Sequence, residues 1–159
     1  MLRLIPAPLH RLLYRIAHTG RLRLFRIIRP HLRSVMVIGV TPDQRMLLVR
    51  TSYGPAGWGF PGGGIGRNET PEAAAIRELR EETQCRATSL RCLKVFDDPV
   101  LGTTATGHLF TGTLLDEPEA DGREIVEARL FPVHSLPHPL TRAAERFLTI
   151  WREQSRGRG

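Results

Sequence analysis

Residues 62–85 read GGGIGRNETPEAAAIRELREETQC, a glycine-dense loop that opens onto a helix. Thr70 suits the N-cap, Pro71 the first helical position and Glu72 the positive end of the helix dipole. The spacing therefore predicts a helix from about residue 70 to Thr83. On it, Glu78, Glu81 and Glu82 fall within roughly a quarter to a third of the circumference, while Ile76 and Leu79 point elsewhere and are expected to form the buried side. Three carboxylates on one face repel one another unless a cation sits among them. Arg77 can pair with Glu81 one turn on, but one guanidinium does not neutralise three acids. Glycine lets the backbone approach a ligand closely. Hard oxygen donors without histidine or thiolate call for Mg2+ or Mn2+ rather than zinc, and such ions complete their shells with water and substrate phosphates.

Outward from this stretch the pattern alternates between strand and helix. Val35–Val40 is rich in β-branched residues, Thr41-Pro42-Asp43 is a turn, and Met46–Val49 is a second strand. Further strands are expected near Leu90–Phe96, His108–Leu115 and Ile125–Phe131, with a polar loop from Asp116 to Gly122. Thr141 to about Trp151 reads as a C-terminal helix, and residues 153–159 as a disordered basic tail. Strands interleaved with two or three helices imply an α/β domain with a mixed sheet between helical layers.

Composition narrows the function. The chain has 159 residues, 41% hydrophobic and 25% charged, which suits one domain with modest extensions. No apolar run approaches the roughly 18 residues of a membrane-spanning helix. Two cysteines, Cys85 and Cys92, exclude a disulfide scaffold, fit a reducing, cytoplasmic setting and read as buried thiols. The net charge of +7 is lopsided. Eight arginines and no acid precede Asp43, and setting those eight aside leaves 15 basic residues against 16 acidic ones. The basicity belongs to residues 1–33, an amphipathic segment with Leu9, Leu12, Leu13, Ile16 and Ala17 at helical spacing. That segment fits packing on its own domain or on a second copy in a homodimer, an anionic membrane surface, or RNA. An organelle transit peptide shares its arginine-rich character, but no cleavage site is evident.

Other chemistries lack their residues. No serine sits in a nucleophile elbow, and the glycine cluster lacks the Lys-Ser/Thr of a nucleotide-triphosphatase loop and the spacing of the dinucleotide fingerprint.

Gly63, Glu69, Arg77, Glu78, Leu79, Glu81 and Glu82 stand at the spacing of the signature Gly, five residues, Glu, seven residues, Arg-Glu-aliphatic-any-Glu-Glu. The chain thereby resembles the Nudix hydrolases. Six fixed matches arise by chance in about one chain in 10⁵ or fewer at ordinary residue frequencies. Two positions depart: the glycine after the glutamates is Gln84, and the next aliphatic position is Cys85. Glutamine there should cost about 1 kcal/mol in a left-handed conformation, or shift the helix end. Leu47–Arg50, Trp58–Gly64 and Glu124–Phe131 extend the resemblance over roughly residues 34–152.

The resemblance implies a Nudix-type α/β/α sandwich with a mixed β-sheet. It also implies hydrolysis of a nucleoside diphosphate linked to another moiety, by water activated at Mg2+ or Mn2+. Glu78, Glu81 and Glu82 would hold the cation, with a backbone carbonyl from Gly62 or Gly63. Arg77 would orient a glutamate, Glu69 would support the loop–helix junction, and Glu124 or Glu127 would add a further carboxylate. The water's proton would go to Glu81 or to one of those late-strand acids. Arg50 is a candidate for phosphate, Trp58, Phe60, Tyr53 and Phe110 for a base, and Gly62 and Gly64 for backbone contact with the nucleotide-type substrate. The alternative is a silent, Nudix-like nucleotide-binding module, against which the intact carboxylate triplet speaks.

Overall fold

The computed structural model describes residues 32–52, 54–100 and 103–156. The basic segment expected over residues 1–33 lies outside them except for Leu32 and Arg33, which already belong to the first strand, and Tyr53 lies outside as well. In chain order the elements are β1 (Leu32–Val40), β2 (Arg45–Thr51), β3 (Gly62–Gly64), α1 (Pro71–Thr83), β4 (Ala87–Val100), β5 (Thr103–Leu114), β6 (Ile125–Pro132) and α2 (Arg142–Arg156).

Valines and leucines alternating along β1 and β2 cover both faces of a sheet. Val35, Val37 and Leu47 face α1 with Ala74, Ala75, Leu79 and Phe110. Ile38, Met46 and Leu48 face α2 with Trp58, Phe147 and Leu148. The sheet runs β4-β5-β1-β2-β6. β1 and β5 are parallel from Leu32↔Ala105 to Val40↔Thr113, and the other pairs are antiparallel, so the sheet is mixed, as expected.

A fork between β1 and β2 positions the glycine loop. The two strands share only the Val40↔Met46 pairing before they part. Gly59 bridges to Val49 on one side, the Val37 N–H donates to the Pro61 carbonyl at 2.9 Å on the other, and β3 then pairs with Ser34–Met36. β3 was not evident from the sequence, since three glycines have no strand propensity of their own.

Three expectations need correction. α2 continues to Arg156, so residues 153–156 are helix and not tail; the Gln154 amide reaches the Leu93 carbonyl at 3.1 Å. Cys85 is buried, but Cys92 is exposed on β4, an edge strand of the sheet. Ile76 is 53% exposed, because α1 turns Ala75, Leu79, Glu82 and Thr83 to the sheet in steps of four and three residues. Among the described residues no helix is long and apolar enough to cross a membrane.

Candidate functional site

α1 begins and ends where its sequence directs. Thr70 is extended, and its hydroxyl accepts from the Ala73 N–H at 3.2 Å. At the other end Gln84 takes the left-handed conformation (φ 59°, ψ 5°) and its N–H caps the Arg80 carbonyl at 3.0 Å. The helix therefore stops at the position of the motif glycine, with glutamine accepting the backbone strain.

At the middle of α1, Arg77 gathers the acids. Its guanidinium donates to both Glu69 oxygens (2.8 and 2.9 Å), to Glu78 (2.7 Å), to Glu81 (3.2 Å) and to the Gly64 carbonyl (2.9 Å). Glu69 also accepts from the Gly66 N–H at 2.8 Å, which fixes the loop to the helix. The Arg77 bonds, then the Gly66 bond, pull the Glu69 carboxyl down to about 2. Gly63 passes flush against Glu78: a Cβ there would stand 2.5 Å from Oε1. Any side chain would evict that carboxylate.

Glu82 is different. Its side chain lies on the buried stripe, 8% exposed, and Oε2 accepts from the Gly62 N–H at 2.9 Å. Among the described residues no Lys, Arg or His ion-pairs with it. Burial first, then Glu78, Glu124 and Asp121, push its carboxyl up to about 8 against the pull of Gly62. Burial likewise raises Glu78, opposed by Arg77.

The loop before β6 closes the site. Its Glu119 and Asp121 N–H groups cap the Thr83 and Glu82 carbonyls at the end of α1 (2.9 and 3.3 Å). The Asp121 carboxylate accepts from the N–H groups of Arg123, Glu124 and Ile125, locking the turn. Between this loop, α1 and β3 lies a cleft of about 740 Å³ lined by Glu78, Glu81, Glu82, Glu124, Gln84 and Arg123, together with Gly62–Gly64 and Asp121. Asp121, Arg123 and Gln84 were missed as site residues. For Gln84 the signal was its departure from the motif, and for the other two the Asp121-Gly122 turn, which marks a loop without saying what the loop faces.

The two late-strand acids part company. Glu127 sits opposite Arg50 in the β2–β6 register, bonded to it at 2.8 Å and to Arg129 at 3.0 Å, away from the cleft. The register shifts after Arg50, and beyond it the Ser52 N–H holds the Glu124 carbonyl at 2.8 Å, which leaves Glu124 on the cleft. Arg50 also lies over the Trp58 ring at 5.7 Å. Trp58 is buried edge-on to Phe131, and Phe110 is buried in the α1 core. Phe60 borders a second, apolar cleft of about 610 Å³ with Met36 and Leu140.

The cation expected from the sequence meets a suitable donor set: four carboxylates and backbone carbonyls, all hard oxygens. Among the described residues no three acidic, thiol or imidazole groups already converge at metal-ligand spacing. Glu78 is turned onto Arg77 and Glu82 onto Gly62, so grip on a cation requires these carboxylates to swing inward.

The profile described as the NUDIX domain matches residues 30–150. A Bacillus subtilis protein named for an 8-oxo-dGTP diphosphatase activity is 33% identical over 93 residues, 58% of this chain and 60% of that protein. The RNA pyrophosphohydrolase of Saccharophagus degradans is 45% identical over 67 residues, 41% of this chain and 34% of its own length. The match thus spans less than two thirds of either relative. The crystal structure of a MutT NUDIX hydrolase from Burkholderia pseudomallei superposes with a TM-score of 0.66 at 25% identity, covering 76% of this chain and 97% of the other.

Proposed function

The chain belongs to the NUDIX family, and on that footing we propose that it hydrolyses the diphosphate link of a nucleotide-type substrate with the help of Mg2+ or Mn2+. Glu82 carries the proposal: a carboxylate 8% exposed, among other acids and without a cationic partner among the described residues, is a costly arrangement unless a cation completes it. Glu78, Glu81, Glu82 and Glu124 are the side chains that would hold that cation. When bound, it would neutralise phosphate oxygens and make water a better nucleophile.

The protein's own groups do the rest. Arg77 holds Glu69, Glu78 and the Gly64 carbonyl in one array, so loop and helix present their oxygens together. We assign proton acceptance to Glu81. Its side chain is 62% exposed and is held by a single 3.2 Å bond from Arg77, so it can turn to a water with little loss. Water's oxygen adds to phosphorus, its proton passes to the Glu81 carboxylate, and the bridging P–O bond breaks to release the second phosphate group.

The test is turnover of a panel of nucleoside triphosphates, nucleotide sugars, dinucleotide polyphosphates and triphosphorylated RNA with Mg2+ or Mn2+. Glu81→Gln and Glu82→Gln should each lower kcat/KM by about 10²–10⁴. Nucleotide binding without turnover of any member would make the domain a binding module and defeat the hydrolytic reading.

A further inference from the structure

Two features of the cleft have no part in holding a cation. Gln84 occupies a left-handed position that favours glycine, and it lines the cleft. Its amide has no hydrogen bond among the described residues. Arg123 lines the same cleft beside Glu78, Glu81, Glu82, Asp121 and Glu124, yet among the described residues no carboxylate ion-pairs with its guanidinium. It is the only basic side chain among the residues lining that cleft. Neither residue is free to drift as backbone. Gln84 caps α1, and Arg123 sits on a turn locked by Asp121 and tied to the helix end through Glu119 and Asp121.

We propose that Gln84 and Arg123 form a substrate-holding pair, clasping phosphate oxygens at the rim of the acidic cleft. This rests on the diphosphohydrolase reading above. A guanidinium offers two parallel N–H donors to a phosphate, and a neutral amide adds donors without further charge. In a cleft lined by five acids, a polyanion needs such a contact wherever a cation held by the carboxylates does not reach it. The strain at Gln84 is then the price of an amide in this place, which glycine could not supply.

At Gln84 stability and binding should move in opposite directions. Gln84→Gly should raise Tm by a few degrees, since glycine relaxes the left-handed position, and yet weaken phosphate binding about threefold. Arg123→Ala should weaken it about tenfold, and Arg123→Lys should recover part of the loss. The measurement is calorimetric titration of the full chain with inorganic pyrophosphate in Mg2+, alongside KM and kcat for whichever substrate the panel yields. The losses should appear in Kd and KM, with kcat changed less than KM. Equal Kd in wild type and all three variants, or no pyrophosphate binding by wild type, overturns the pair's role. Binding differences without any turnover would sustain the pair and overturn hydrolysis instead.

Discussion

The surroundings of Arg77 and the C-terminal end of α1 hold the same residue type in opposite circumstances. Around Arg77, Glu69 of the preceding loop and Glu78 share the guanidinium, and the Gly64 and Gly66 backbone groups complete the set. Opposite charges meet, and Glu69 is satisfied without any ligand, while Glu78 lies between Arg77 and the cleft. At the C-terminal half, Glu82 is buried among acids with a single backbone donor, and Gln84 holds a left-handed backbone. The Arg77 array stabilises the protein, and the C-terminal end is a strained place awaiting charge. The lesson is that acids alike in sequence take different parts: Glu69 serves the scaffold, Glu82 the chemistry, and Glu78 both.

The largest effect that would sharpen this contrast is at Glu82. Beyond its loss of turnover, Glu82→Gln should make the cation-free protein more stable. The sign follows from linkage: with the folded carboxyl near 8 and the unfolded one near 4.5, the unfolded chain loses its proton first. Stability therefore falls as pH rises from about 4.5 to about 8, and the glutamine variant escapes that fall. We expect its Tm to exceed wild type by about 5 °C at pH 9 and to match it near pH 4. Millimolar Mg2+ should raise wild-type Tm at pH 8 and shift the variant much less. A variant that melts below wild type throughout would show that Glu82 belongs to the finished end.

Gly63→Ala comes next. The added methyl would displace Glu78 rather than core side chains, so activity should drop by about 10–100-fold with stability within about 1–2 kcal/mol of wild type in urea titrations. Arg77→Lys should do the reverse and act more on the scaffold. Lysine cannot span Glu69, Glu78 and Gly64 in one plane, and a loss of about 1–2 kcal/mol is expected from the same titrations.

The smallest effect is at Glu69, an ion pair near the surface. Its carboxyl is held down by Arg77 and Gly66, so its contribution is full above the unfolded value near 4.5 and is lost as pH falls through about 2. The Tm difference between wild type and Glu69→Gln should thus be flat above pH 5 and close as acid is added. A difference that widened in acid would contradict the bond assignment.

How much of this was legible follows the range of each interaction. The caps of α1, the carboxylate spacing and the Glu69–Arg77 relation lie within one loop and four helical turns, where local geometry rules. Ile76 was misread because helical phase relative to the sheet is set by packing, not by periodicity alone. Glu124 and Glu127 are equally acidic and three residues apart. Their separation rests on the register of β6 against Arg50 and on the shift that follows it, which no single strand encodes. Gln84 was legible as a departure from the motif, and its side chain's place on the cleft was not.

Sequence alone determined the order of the helices and of the strands other than β3, the loop–helix signature and the family it marks, because those depend on neighbours a few residues away. Tertiary structure decided which glutamate is buried, which late acid reaches the cleft and where the glycine loop enters the sheet. Each of these depends on how segments far apart in the chain exclude water from one another.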